Sequence, residues 1–133
     1  MLYKLYKKYA KACDKGDKHS YIDFYEGLFL PYRSRKINLL EVGIAKGGSM
    51  LMWGDYFSKG KIYGIEHRLD CVEHWQSKYA RSSIFSSITR NIEVICADGA
   101  DERTLTNPAI KNVKFDIIID DANHDFHQQN DIF

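Results

Sequence analysis

The 133-residue sequence predicts an α/β domain whose helices cover a parallel β-sheet. Apolar runs of strand length recur along the chain, and each ends in or close to an acidic residue, in INLLEV, KIYGIE, IEVICAD and KFDIIID. The segments that connect these runs carry apolar residues at helical spacing, which indicates β-α-β crossovers. A glycine-containing turn directly after the first run is typical of folds that bind a nucleotide.

Two helices are predicted before the sheet. Residues 1–35 form this N-terminal part, and residues 36–133 form the sheet-containing core of the same single domain. Helical spacing of apolar residues indicates the first helix over residues 2–12, and the second is expected to end before Pro31. The apolar face of the second helix is predicted to consist of Tyr21, Phe24, Tyr25, Leu28 and Phe29.

The turn that follows the first strand is the part of the chain best suited to approach a ligand. Residues 37–42 predict a buried strand, because the apolar run is too short for a helix and is bounded by glycine. Gly43, Gly47 and Gly48 then let the backbone come close to a bound molecule, since glycine has no Cβ. Ser49 is predicted to cap the following helix, whose first N–H groups face the turn.

This turn differs from the dinucleotide-binding fingerprint G-x-G-x-x-G. Ala45 stands at the position of the middle glycine, which disfavours pyrophosphate binding and a nicotinamide-dependent oxidoreductase. Glu41 lies near the end of the buried strand, where an unpaired charge is costly, so a carboxylate there is usually paired with a hydrogen-bond donor or a cation. Two interpretations stay open for Glu41: a ligand-binding residue, or a purely structural carboxylate bonded to nearby backbone N–H groups.

Acidic residues also follow the other three predicted strands. Glu66 ends the second strand, where a carboxylate can accept both hydroxyls of a ribose; the alternative is a solvent-exposed loop acid. Asp98 lies just past the third strand, where an acid can meet an adenine amino group. Asp120 and Asp121 end the fourth strand. Because parallel strands end at the same edge of a sheet, these acids are predicted to gather along one rim with the acid of the first strand.

Composition limits the classes of partner. Nineteen basic against 18 acidic residues give a formal net charge of +1, which provides no electrostatic case for binding nucleic acid. No apolar run approaches the roughly 18 residues of a membrane span, and the lysine-rich start lacks the apolar core of a signal peptide. A cytoplasmic protein without membrane contact is therefore expected.

The cysteines form no C-x-x-C pair, which disfavours disulfides and zinc, and Cys96 is predicted to be a small buried hydrophobic residue.

In their order and spacing, these motifs resemble the class I S-adenosylmethionine-dependent methyltransferases, in particular the macrocin O-methyltransferase and cephalosporin-hydroxylase-like group. The matching segments are DKHSY, LLEVGIAKGGSM, Trp53, the YF pair at Tyr56, IYGIE, ADGAD and FDIIIDDANH. The resemblance implies a Rossmann-like parallel sheet with strand order 3-2-1-4, C-terminally truncated relative to the seven-stranded methyltransferase fold. It also implies methyl transfer from S-adenosylmethionine to a hydroxyl of a small sugar-like or natural-product acceptor.

Carried over residue by residue, the resemblance implies individual roles. The cofactor site would consist of Glu41, Gly43 and Gly47 around the methionine part, Glu66 at the ribose hydroxyls, Asp98 at the adenine, and Asp120. Asp120 and Asp121 would be ligands of Mg²⁺ in the metal-using members, where the ion can hold two adjacent hydroxyls. His124 would be the general base for the acceptor hydroxyl, with Asp121 beside it in the catalytic set. A loop histidine that only bonds backbone is the alternative for His124.

The sequence departs from the family after the segment DDANHDFHQQNDIF. Family members continue with a fifth strand, a further acidic pair and an antiparallel strand pair. Three explanations stay open: a fragment or shortened product of a longer methyltransferase, a chain that completes its sheet by pairing with another polypeptide, or a non-catalytic S-adenosylmethionine-binding or assembly module. The apolar fourth strand is an edge that invites pairing, so a homo-oligomer formed through this strand is expected.

Overall fold

A computed structural model describes residues 1–9 and 19–121, without the side chains of residues 19–21. Its single described sheet consists of β1 (Asn38–Val42), β2 (Lys61–Glu66), β3 (Ile92–Cys96) and β4 (Ile117–Asp120). All strand pairs are parallel and the order is β3-β2-β1-β4. The predicted α/β class and the strand order 3-2-1-4 are therefore confirmed.

Helices connect the strands as the periodicity predicted. In the described part of the chain, the α-helices are α1 (Leu2–Lys8), α2 (His19–Phe29), α3 (Gly48–Tyr56), α4 (Leu69–Trp75) and α5 (Ser86–Thr89). Helix α4 continues as one π-helical turn, Gln76–Ala80. Short 3₁₀ helices cover Leu30–Tyr32, Ser83–Phe85 and Glu102–Thr106. No helix within the described ranges is long and apolar enough to cross a membrane.

The larger hydrophobic core lies on the first face of the sheet, which carries the side chains of Leu39, Ile62, Ile117 and Ile119. Residues of α1, α2, α3 and the π-helical turn pack on this face, and Trp53, Tyr56, Phe57 and Trp75 are fully buried there. Most of helix α3 is buried, because it lies between the sheet and α1, and the rings of Tyr25 and Phe29 of α2 pack against its Trp53. These contacts place α3 behind the end of β1.

The second face of the sheet is covered by the connection between β3 and β4. Its core joins Leu40, Val42, Tyr63, Ile65 and Ile95 to Ile110 of that connection. Ile118 of β4 points to the same face and is 47% exposed. Strand β4 pairs with β1 and is the last strand of the described sheet on that side. Pairing of this edge with another chain stays a prediction.

Three local predictions are wrong. Phe24 and Leu28 of α2 are exposed, at 62% and 49%, because the buried face of the helix is rotated toward Ile22 and Phe29. Cys96 is exposed, since only one residue of the edge strand β3 is buried. These errors share a cause: the apolar character of a segment was clear, but the side covered by neighbouring elements depends on tertiary packing.

The predicted cap is the third error. Helix α3 begins after Gly47, which is its N-cap, and no side chain caps it. Ser49 is the second residue of the helix, and its hydroxyl donates to the Glu41 carboxylate instead. A serine near a helix start is often a cap, but here a buried carboxylate is the better acceptor.

Candidate functional site

The four strands end side by side, as predicted. Backbone hydrogen bonds continue the ladder past the strand ends, from Gly43 to Ile65 (2.8 Å), from Ala97 to Glu66 (3.0 Å) and from Asp121 to Val42 (2.8 Å). The segments that follow the strands are therefore neighbours along one edge. In a parallel sheet with helices on both sides, this edge is where ligands bind.

The turn between β1 and α3, residues 43–48, is called the glycine turn below. Gly43 and Gly47 have φ of 86° and 90°, and Ala45 has φ of 48°. All three lie in the left-handed region, which is readily accessible only to glycine. At Gly47 a Cβ would also lie 2.5 Å from Cε3 of Trp75, so the position admits no larger residue without rearrangement.

Glu66 joins β2 to the glycine turn. Its Oε1 accepts the backbone N–H groups of Ile44 (3.1 Å) and Ala45 (3.0 Å), and its Oε2 accepts that of Arg68 (3.0 Å). The residue is 4% exposed, which excludes the alternative of a solvent-exposed loop acid. His67 Nδ1 lies 3.4 Å from Oε2. A carboxylate has about four lone-pair sites, so these three backbone bonds leave acceptor capacity for a ligand hydroxyl.

Glu41 is fully buried on the α3 side of β1. The Ser49 hydroxyl donates a short hydrogen bond to Oε1, and Trp53 Nε1–H donates to Oε2 at 2.8 Å. The structural interpretation of Glu41 expected backbone N–H donors, whereas these two donors are side chains. Both come from the helix that follows the glycine turn, so Glu41 ties β1 to α3 behind that turn.

The sequence did not single out Ser49 and Trp53 as partners of Glu41. Trp53 also packs in the core, where the rings of Tyr25 and Phe29 lie edge-on to it at 5.6 and 5.5 Å between centroids. The available signal was the spacing, since two donors four residues apart share one helix face. The buried acid at the end of the preceding strand, Glu41, is the acceptor for both of these donors.

Asp98 is exposed and its side chain closes a local turn. Oδ1 accepts the backbone N–H of Ala100 at 2.9 Å, and the Thr104 hydroxyl donates to the Asp98 carbonyl oxygen. These bonds fix the backbone just beyond β3 while the carboxylate faces solvent. A cofactor role for Asp98 stays a prediction.

Asp120 and Asp121 are half-buried at the end of β4. Consecutive residues of a strand point to opposite faces, so Asp120 shares the face of Ile118 and Asp121 lies on the side of Glu41. Among the described residues, no group of three or more His, Cys, Asp or Glu side chains is placed to hold a metal ion. Two carboxylates alone fall short of the near-octahedral oxygen set that Mg²⁺ requires, so the described residues do not make a complete Mg²⁺ site. His124 lies outside the described residues.

The strand order, the glycine turn and the acid at the end of β2 define the fold of a class I S-adenosylmethionine-dependent methyltransferase. No protein-family model matches the chain. Individual curated proteins do match, and so do solved structures.

Two of the relatives are O-methyltransferases. The 8-demethyl-8-alpha-L-rhamnosyl tetracenomycin-C 2'-O-methyltransferase of Streptomyces olivaceus is 30% identical over 118 residues, covering 84% of this chain and 28% of the relative. The demethylmacrocin O-methyltransferase of Streptomyces fradiae is 29% identical over 116 residues, covering 82% of this chain and 26% of the relative. The chain therefore spans little more than a quarter of the length of these relatives.

A solved structure agrees with the sequence relatives. The MycE methyltransferase of the mycinamycin biosynthetic pathway, in complex with Mg and SAH, superimposes with a TM-score of 0.64 at 26% identity. The match covers 99% of this chain and 30% of MycE. The resemblance drawn from the sequence motifs is thus confirmed: the chain has the class I methyltransferase fold, and the macrocin-type O-methyltransferases are its relatives.

Proposed function

We propose that the chain is the S-adenosylmethionine-binding part of a methyltransferase that acts on a hydroxyl of a sugar-like group on a natural product. The observation that carries this proposal is the bonding of Glu66 to the glycine turn at the carboxyl edge of the sheet. The turn and the carboxylate form one unit, with backbone N–H groups and an acceptor within a few ångströms of each other. The names of the relatives support the sugar-like acceptor.

The described residues fit such a cofactor. Glu66 retains acceptor capacity for the ribose hydroxyls, as a carboxylate at the end of the second strand does in nucleotide-binding sheets. The glycine turn leads into the N-terminus of α3, a helix of nine residues, whose free N–H groups favour a carboxylate such as that of the methionine part. Glu41 lies fully buried behind the turn. When bound, S-adenosylmethionine supplies an electrophilic methyl group.

The chain's own residues have defined tasks in this proposal. Glu66 orients the adenosine, the glycine turn receives the methionine part, and Asp98 accepts from the adenine amino group. Asp121 and His124 are proposed to accept the proton of the acceptor hydroxyl. Mg²⁺ bound through Asp120 and Asp121 would need further ligands from outside the described residues.

Calorimetric titration with S-adenosylhomocysteine (SAH) tests the cofactor assignment. We expect saturable binding that weakens about tenfold or more in Glu66→Gln, because the amide accepts hydroxyls with one oxygen and carries no charge. Glu73→Ala, an exposed acid on α4, is the matched control and should bind as the parent does. Absence of binding at several hundred micromolar, or tighter binding of NADH than of SAH, would contradict the proposal.

The second candidate function is a non-catalytic cofactor-binding or assembly module. The observation behind it is the coverage: the chain matches 26–30% of its relatives' length. Incubation with S-adenosylmethionine, Mg²⁺ and a pool of rhamnosylated acceptors separates the two. Saturable SAH binding without any methylated product supports the module, whereas product formation supports the enzyme.

A further inference from the structure

A cavity of about 370 Å³ lies between α1, α3 and the π-helical turn that follows α4. Leu51, Tyr79 and Phe85 form its apolar wall, and both Leu51 and Tyr79 are buried. The volume falls within the range of about 300–1,000 Å³ that small-molecule sites span. None of the described residues that line the cavity belongs to the glycine turn, so the cavity is separate from that turn.

The aromatic wall of the cavity is held in place by ring contacts. The rings of Tyr79 and Phe85 meet edge-on at 5.3 Å between centroids, and Tyr79 also packs on Trp75 at 5.6 Å. Tyr79 belongs to the π-helical turn, and such turns are rare and often occur at functional sites. Because rings that are packed on several sides keep their orientation, the wall is formed before any molecule binds.

Three lysines give the cavity a positive charge. Lys7, Lys8 and Lys78 are exposed and line it, and none of its described lining residues is acidic. Asp55, on the neighbouring helix α3, compensates one of these charges, since its Oδ2 lies 3.2 Å from Lys8 Nζ. The ammonium groups of the other two lysines decide what the cavity attracts.

These two lysines lie over aromatic rings. Lys7 Nζ is 4.9 Å from the ring centroid of Tyr3, and Lys78 Nζ is 5.5 Å from that of Tyr79. Within the part of the chain that the structure describes, no ion pair links Lys7 or Lys78 to an acidic residue. Cation–π contacts attract an ammonium group to a ring but leave its charge in place. The charges of Lys7 and Lys78 can therefore pair with an anion.

We propose that this cavity binds a small aromatic anion. The rings of such a molecule pack on Leu51, Tyr79 and Phe85, and its carboxylate, sulfonate or phosphate group pairs with Lys7 and Lys78. The apolar wall alone would accept any hydrophobic molecule of suitable size. The lysines favour the anions among them, because charges beside a low-dielectric surface attract each other more strongly than in bulk water. The inference does not depend on the proposed cofactor site.

Two fluorescent dyes of similar shape test the inference. 1-Anilinonaphthalene-8-sulfonate is an aromatic anion, and N-phenyl-1-naphthylamine is the same molecule without the sulfonate. The double variant Lys7→Met and Lys78→Met removes both charges and keeps unbranched apolar side chains. We expect its affinity for the anionic dye to fall about tenfold, and its affinity for the neutral dye to change less than about twofold.

The double variant Lys36→Met and Lys59→Met is the matched control. Both lysines are exposed and lie outside the cavity lining, and the net charge changes by the same amount. The affinities of this variant for both dyes should stay within about twofold of the parent values. Phe85→Ala removes part of the aromatic wall and should weaken the binding of both dyes about fivefold.

Four results would overturn the inference. The control pair could weaken the anionic dye as much as the cavity pair does, which would reduce the effect to net charge. The cavity pair could weaken both dyes equally, or SAH could displace the anionic dye, which would place the dye at the glycine turn. Absence of binding of either dye to the parent chain would show that the cavity is closed in solution.

Discussion

The carboxylate of Glu66 accepts the backbone N–H of Ala45 at 3.0 Å and so joins the end of β2 to the turn between β1 and α3. Ala45 has a left-handed backbone, which is unfavourable for a residue with a Cβ. The bond therefore stabilises a conformation that the local sequence does not prefer. Strand β2 contributes to the shape of the glycine turn as well as to its chemistry.

Loss of the Glu66 carboxylate should destabilise the chain even without ligand. In Glu66→Ala the N–H groups of Ile44, Ala45 and Arg68 lose their acceptor, and we expect unfolding to become easier by about 2 kcal/mol. Urea denaturation followed by circular dichroism measures this. Glu73→Ala, at an exposed position of α4, should stay within about 0.5 kcal/mol of the parent. Equal stability of the two variants would show that the turn holds its shape without Glu66.

Gly47→Ala should be among the most damaging small substitutions in the chain. The added Cβ would lie 2.5 Å from Trp75 Cε3 in a backbone with φ of 90°, so strain and overpacking combine to about 2–5 kcal/mol. Gly27 provides the control, because it lies in helix α2 and no described atom beyond its chain neighbours and the helix backbone lies within 4 Å of an added Cβ. Gly27→Ala should stabilise the protein by roughly 0.5–1 kcal/mol through its higher helix propensity. Similar unfolding midpoints for both variants would contradict the close packing of Trp75.

Ala45→Gly is expected to stabilise the fold. Relief of the left-handed strain at φ 48° exceeds the added chain entropy of glycine in the unfolded state, which leaves a net gain of about 0.5–1 kcal/mol. The same substitution at Ala80, an exposed position of the π-helical turn, should destabilise by about 1 kcal/mol. Urea denaturation should therefore show a rise in unfolding free energy for Ala45→Gly and a fall for Ala80→Gly. Destabilisation at both positions would show that Ala45 is not strained.

Some features of the fold were predictable from the sequence and others were not. Strand β2 was predicted with the observed bounds Lys61–Glu66, because a short apolar run that follows a glycine and ends in an acid is typical of a buried strand. The strand order came from the resemblance, since periodicity identifies strands but not their neighbours. The glycine turn was predicted from the glycines that follow the first strand. The left-handed conformation of Ala45 was not predicted, because Ala45 is held by a hydrogen bond to Glu66 of another strand.

The missed partners of Glu41 have a physical reason. A serine two residues into a helix satisfies the local rule for caps, and a tryptophan among aromatics satisfies the rule for core packing. Neither rule takes into account that the Glu41 carboxylate, from the preceding strand, is buried against this face of α3 and needs hydrogen-bond donors there. The exposure of Phe24 and Leu28 is of the same kind, since it depends on which part of α2 meets Trp53.

The outer edge of β4, the last strand on its side of the described sheet, should promote self-association of the chain. Ile118 is 47% exposed beside this edge, so Ile118→Lys introduces a charge of the kind that natural edge strands use against pairing. Sedimentation velocity should show concentration-dependent association of the parent that the substitution weakens. Ile84→Lys, at an 82% exposed site on a 3₁₀ helix, should leave association unchanged. A parent chain that stays monomeric at high micromolar concentration would rule out pairing through β4.

Tyr56 should make the fold sensitive to high pH. Burial, with a smaller contribution from the nearby Glu26 charge, raises the pKa of Tyr56 from 10.0 to about 12. The folded chain therefore keeps a proton that the unfolded chain releases, so stability is complete below pH 10 and falls as the pH rises toward 12. The loss across this range is about 1–2 kcal/mol. Tyr56→Phe removes the ionisable hydroxyl of Tyr56 and keeps the other tyrosines. Between pH 10 and 12, the unfolding free energy of the parent should therefore fall by about 1–2 kcal/mol more than that of the variant. Parallel curves would mean that Tyr56 ionises equally in both states.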